Sequence, residues 1–405
     1  MTCSTNRKKY MKYYFSIFLF LIPFFYPFRK IVQVYLPVKQ YLIMYLPTIL
    51  ILFYLIVKRK GSLISQHLLI ILIYYALMLV PSPDHITGLM WLINISIPVL
   101  FAGRLSEVRL TINDTFSYCL GTLVCSFLLL PNIISRFGFY IYYMNYSRVP
   151  FMYGDIEVGP NGWSQYLSVA IMLLTMQLIY GGNSKKRRIV LWIMFLLETF
   201  FLWITGARGS LVAIVGAFFM VGVLGVMFYS KITVKRSLII RIAFVLFILS
   251  VIAMGVMIFG RGMLSGSRMA DLSSVERFKI WRLAGYLFSK MDLIYMFFGI
   301  GTGGTGVYLG AHNNPLFGTT VDTRSKISHI SAHNSYLDSL IGTGLIGLFL
   351  FTGYWIFSIW KILRYSGKHY YAIFPLYVMI SGLVYNLFSG WTYCACIILT
   401  EAVIF

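Results

Sequence analysis

Charge is what this chain has least of. Only 11% of its 405 residues are Asp, Glu, Lys or Arg, and the acidic ones number 12. A soluble domain carries about 25% charged residues, so an ordinary water-exposed globule is excluded. Cysteine is sparse as well. The 5 present are Cys3, Cys119, Cys125, Cys394 and Cys396, four of them inside apolar stretches and none spaced with histidines for a metal. Neither a disulfide framework nor a zinc site follows. No fixed-period repeat or low-complexity tract is visible, which removes solenoids and compositionally biased arrays.

What is abundant is hydrocarbon. Hydrophobic residues make up 59% of the chain, enough for about a dozen membrane spans at roughly 20 residues each. Apolar runs fall at 13–28, 40–57, 66–80, 86–102, 114–131, 163–180, 189–205, 209–229, 238–260, 334–359, 371–388 and 391–405. The first lacks a small-residue cleavage site and is followed by Arg29 and Lys30, so it reads as an uncleaved span. The sequence therefore predicts an all-α membrane protein, a polytopic bundle of about 12 transmembrane helices with one large, partly helical extracytoplasmic loop.

The formal net charge of +22 would suit nucleic acid, but the basic residues sit in short clusters between apolar runs. They read as topology signals. With the N-terminus in the cytoplasm, the Lys and Arg of short loops divide 20 inside to 6 outside. That asymmetry supports the span assignment and the inside N-terminus. Four regions follow: N-terminal spans at 1–162 with an outer loop at 132–162, central spans at 163–260, the large outer loop at 261–333, and C-terminal spans at 334–405.

Loops this long usually have a task. The larger one holds His312, His329 and His333, and His85 lies at another outer turn. Arg208, in Ile204-Thr205-Gly206-Ala207-Arg208-Gly209-Ser210, is a lone guanidinium between two apolar runs. It either snorkels to lipid headgroups or binds an anion, and the flanking glycines and its place at a span end favour the anion. Ser273 and Glu276 have capping-box spacing, predicting a helix that carries Arg277, Lys279, Trp281 and Arg282. Its apolar residues are not confined to one face. A free interfacial helix would segregate them better, so this one is expected to pack against the bundle with some arginines turned inward. Arginine suits a two-pronged grip on phosphate oxygens.

Gly301-Thr302-Gly303-Gly304-Thr305-Gly306 matches a dinucleotide-binding pattern literally. Without a strand before it and a helix after it in a parallel sheet, the nucleotide reading fails, and a flexible loop is expected instead. His333, in Ser331-Ala332-His333-Asn334-Ser335-Tyr336 at the outer mouth of the tenth run, is placed to act as a base near neutral pH. Asp155 and Glu157 in the smaller outer loop are an alternative base or a solvated acidic turn. Gly342, Gly344 and Gly347 are expected to permit close helix packing.

Four pieces of the chain, in order and spacing, resemble the O-antigen polymerase and O-antigen ligase family of bacterial membrane glycosyltransferases. They are Pro160-Asn161-Gly162; Thr205 to Ser210; Glu276-Arg277-Phe278-Lys279-Ile280-Trp281 with Gly299-Ile300-Gly301; and His333-Asn334-Ser335-Tyr336-Leu337 with Gly344-Leu345-Ile346-Gly347. The resemblance spans roughly 150–355. It implies transfer of a glycan from an undecaprenyl-diphosphate-linked oligosaccharide at the outer leaflet of the bacterial plasma (inner) membrane, with no nucleotide sugar, metal or other cofactor. Catalysis would fall to His333, Arg208 and Arg277, and substrate contacts to Arg282, Asn334, Tyr336 and Asn161. Implied partners are the lipid-linked glycan, membrane lipids and a chain-length regulator, with no nucleic acid. The expected activity is repeat-unit polymerase, with ligase to lipid A core as the alternative. A lipid-linked oligosaccharide flippase is a third reading, which would place its charges nearer the midplane and show two related halves.

Overall fold

The computed structural model describes residues 66–89, 112–129, 151–153, 156–158, 160–180, 184–205, 207, 209–218, 273–312, 330 and 332–366, with single residues or short pieces between 13 and 27 and at 92. The apolar runs 40–57, 238–260, 371–388 and 391–405 lie outside these residues, as does most of 86–102.

Among the described residues the architecture is helical, apart from one small hairpin. In chain order the elements are α1 (Gln66–Leu77), a 3-10 turn (Ile112–Thr115) leading into α2 (Phe116–Leu129), strands β1 (Phe151–Tyr153) and β2 (Ile156–Val158), α3 (Pro160–Tyr180) and α4 (Lys185–Thr205). Then follow α5 (Gly209–Phe218), α6 (Ser273–Ser289), α7 (Leu293–Phe298), α8 (Thr305–Ala311) and α9 (Ser335–Ser366). The two strands pair antiparallel, with Met152 opposite Glu157. The hairpin falls in the 132–162 loop, for which no strands were expected.

Two helices, Lys185–Thr205 and Ser335–Phe357, are long and apolar enough to cross a bilayer. Among the described residues two such helices are present, and the expected count of about twelve spans is not established.

α3 is predominantly apolar and sits at the centre, with Trp163, Leu167, Val169, Met172 and Leu173 all fully buried beside the polar Ser164, Ser168 and Gln177. A helix hydrophobic all round belongs in the middle of a bundle. α2 and α4 pack along it, and Phe127 of α2 meets Phe201 of α4 edge to face at 5.1 Å.

α4 has two faces, both largely apolar. Ile189, Trp192, Ile193, Leu196, Phe200 and Trp203 form an exposed stripe at helical spacing, while Leu191, Met194, Phe201 and Leu202 face inward. In water such a stripe would be a large exposed patch. In a bilayer it is the lipid-facing surface. Glu198 lies on the inward face, fully buried, with no hydrogen-bond partner for either carboxyl oxygen among the described residues. A polar group turned from lipid into the bundle follows the membrane rule.

The second packing unit joins α1, α6, α7, α8 and α9. Its apolar core is Leu283, Ala284, Leu287, Leu309, Ala332 and Ile341, drawn from α6, α8, α9 and the segment before α9. The helix expected around Ser273 does begin there, and it packs against the bundle as its scattered apolar residues imply.

Candidate functional site

α9 is broken at Gly344, whose φ of 69° and ψ of −170° are non-helical. Gly299, with φ 76° and ψ −174°, lies against Gly342 and Gly344. This backbone region is essentially glycine-only, and a methyl on either residue would strike the other strand's backbone. The break leaves helix carbonyls in need of donors, and other elements supply them. Ile300 N–H donates to the Ile341 carbonyl at 3.1 Å and Gly301 N–H to Gly342 at 2.7 Å. The Tyr74 hydroxyl donates to Thr343 at 2.8 Å.

The glycine-rich run is therefore not a flexible loop; it is the junction of three elements. Thr302 N–H donates to the Met78 carbonyl at 2.8 Å and its hydroxyl to Tyr75 at 2.9 Å. Thr305 Oγ1 donates to the Asp338 backbone carbonyl at 3.0 Å. A side chain at Gly301 would collide with the Ser82 backbone, and one at Gly303 with Gly88. The glycines are there because backbone meets backbone.

This junction fixes the start of α9, where His333 sits. Asn334 is buried and caps the helix, its Oδ1 accepting from Tyr336 N–H at 3.0 Å and Leu337 N–H at 3.2 Å. His333 precedes it with φ 49°, the one non-glycine residue with positive φ among the described residues. That conformation is uncommon outside glycine, asparagine, aspartate and histidine, and it turns the chain sharply into the helix. Strained residues of this kind cluster at functional sites.

α6 is tied to the same segment. Trp281 Nε1–H donates to the Ala332 carbonyl at 2.9 Å. Arg277 lies one helical turn before Trp281, so both share a face. The result is a cation beside an imidazole. His333 keeps an exposed edge, yet the protein around it and then the Arg277 guanidinium both hold its pKa below the ordinary 6.5. Both causes favour the neutral imidazole, the form able to accept a proton.

A second pair of motif pieces meets elsewhere. α4 ends at Thr205 and α5 begins at Gly209, with Ala207 buried between them. Ala207 N–H donates to Thr205 Oγ1 at 3.2 Å. Ser210 Oγ lies 2.6 Å from Ser164 Oγ in the first turns of α3, so the Pro160-Asn161-Gly162 start of α3 adjoins the Thr205–Ser210 turn.

Of the expected site residues, Arg277 and His333 are brought together. Arg208 lies outside the described residues, as do Asp155 and His329, and the side chains of Asn161 and Glu157 are not described. Arg282 is exposed, well around α6 from Arg277. Tyr336 is half-buried and packs edge to face on Phe351 at 5.6 Å. Asn334, an expected substrate contact, has its Oδ1 engaged by the backbone of α9. Sequence reasoning missed the pinning role of Trp281, because its partner is a backbone carbonyl about fifty residues away and leaves no mark in the sequence. It also passed over Glu198, which a scan for carboxyls inside apolar runs would have found.

No curated protein matches the chain. The family model described as O-Antigen ligase matches residues 189–352. That segment contains Arg208, α6, the glycine junction and His333. Residues 189–352 are thus similar to the O-antigen ligase domain.

Proposed function

We propose that this protein is a repeat-unit polymerase of the plasma membrane. It would transfer a glycan from undecaprenyl diphosphate to the hydroxyl of a second lipid-linked repeat unit at the outer leaflet. The observation that carries this reading is the meeting of α6 with the segment before α9, where Trp281 is tied to Ala332 and the Arg277 guanidinium helps to lower the pKa of His333. In the reaction the acceptor oxygen bonds to the anomeric carbon as its proton passes to His333. The bond from that carbon to the phosphate oxygen breaks, and its electron pair leaves with the lipid diphosphate. Negative charge grows on the departing group, so guanidinium groups there lower the barrier more than they aid substrate binding. Arg277 takes this part, and the family resemblance would give Arg208 a share in it.

The family match is described as ligase, which favours transfer to lipid A core as the second reading. One assay separates them. Purified protein in liposomes receives radiolabelled lipid-linked repeat unit, with or without lipid A core. A ladder of products supports the polymerase, whereas transfer to added core alone makes it a ligase. Translocation without transfer refutes both.

A further inference from the structure

α7 is almost wholly apolar, Leu-Ile-Tyr-Met-Phe-Phe, yet little of it is buried. Leu293 and Ile294 are each 72% exposed, and Tyr295, Phe297 and Phe298 are about half exposed. In the sequence it falls in the middle of a loop assigned to the aqueous side. Its position along α9 contradicts a watery setting. Gly299, immediately after α7, packs on Gly342 and Gly344, and the apolar span of α9 starts at Ser335. Seven to nine residues at about 1.5 Å each put that contact roughly 10–14 Å along the span from its outer end. A hydrocarbon core is only about 30 Å thick.

The backbone that follows meets the condition for non-helical chain at membrane depth, namely burial in protein with its polar groups paired. Gly301 and Gly304 are buried, as is Thr302. The N–H groups of Gly299, Ile300, Gly301, Thr302 and Gly304 all donate to backbone carbonyls of α7, α9, Met78 or Gly301. The exposed side chains of α7 are also continuous with lipid-facing ones, since α7 packs along α9 where Leu345 and Phe349 are exposed. Leu77 and Val80, at the end of α1, are exposed as well, close to where Met78 receives Thr302.

We infer that residues 292–304 form a re-entrant segment, with α7 immersed in the acyl chains of the outer leaflet and the glycine run returning the chain to the surface. The large loop is thereby anchored in the membrane at its middle. This goes beyond the transferase reading and does not depend on it.

Spin labelling tests the inference. The five native cysteines, of which Cys119 and Cys125 are buried, are replaced by serine, and single cysteines are introduced as Ile294→Cys and Phe298→Cys in protein reconstituted in liposomes. Phe349→Cys gives the lipid reference and the exposed His312→Cys the water reference. Collision with molecular oxygen, compared with a water-soluble nickel chelate, should bring the oxygen-to-nickel ratio at 294 and 298 to the Phe349 level. A ratio at the His312 level overturns the proposal, and so does weak collision with both reagents, which would mean another protein surface covers α7. The unmodified protein supplies a check free of substitutions. A hydrophobic diazirine photolysed in the liposomes should label the peptide containing Leu293–Phe298, and absence of that label overturns the inference. Neither readout involves glycan transfer.

Discussion

His333 concentrates three properties in one residue: a positive φ, an exposed edge and a neighbouring guanidinium. Removing the imidazole by His333→Ala should lower transfer about 10²- to 10⁴-fold while lipid-linked substrate still binds to the purified protein. Unchanged turnover would remove His333 from the mechanism. The pKa direction fixes a second outcome. A base must be deprotonated, so the rate should climb with pH along an acid limb whose midpoint lies below 6.5 and stay level above it. Arg277→Gln takes away one of the two causes, so the midpoint should move up towards 6.5 without reaching it, because burial remains. A limb that stays put would mean the two side chains do not communicate. Trp281→Phe keeps the ring and deletes the donor to Ala332. As a positioning change it should lower kcat and leave KM nearly unmoved.

At the level of elements, the junction around Gly344 leaves little room for side chains, since a Cβ at Gly299, Gly301, Gly303 or Gly344 would meet backbone. Gly301→Ala places a methyl against Ser82 at φ 116°. Backbone strain alone costs about 1–3 kcal/mol, so the thermal midpoint in detergent should fall by several degrees. An unchanged midpoint would show that the junction is looser than described. The sequence made part of this legible. The Ser273–Glu276 spacing located the start of α6, and Gly342, Gly344 and Gly347 suggested close packing. It could not reveal what they pack against, because Gly299–Gly344 and Thr302–Tyr75 contacts join distant positions. The glycine run looked flexible for the same reason. Local composition reports conformational freedom, whereas tertiary contact decides whether that freedom is used.

Across the whole molecule, composition alone disclosed a helical membrane protein, because lipid demands apolar surface over every span. Basic clusters gave its proposed sidedness, which is directly testable. Ser184 precedes α4, and His312 follows α8. In spheroplasts a membrane-impermeant maleimide should label His312→Cys at once and Ser184→Cys only after permeabilisation. The opposite pattern would invert the topology and move His333 to the cytoplasm. The break in α9 has a mechanical corollary for the assembled protein. The stretch from Ser335 to Thr343 accepts backbone hydrogen bonds from Ile300 and Gly301, so it is braced sideways at the point where a continuous rod would be coupled lengthwise. Thinning or thickening of the surrounding bilayer would tilt the shaft below the pivot and leave the distance between imidazole and guanidinium largely undisturbed.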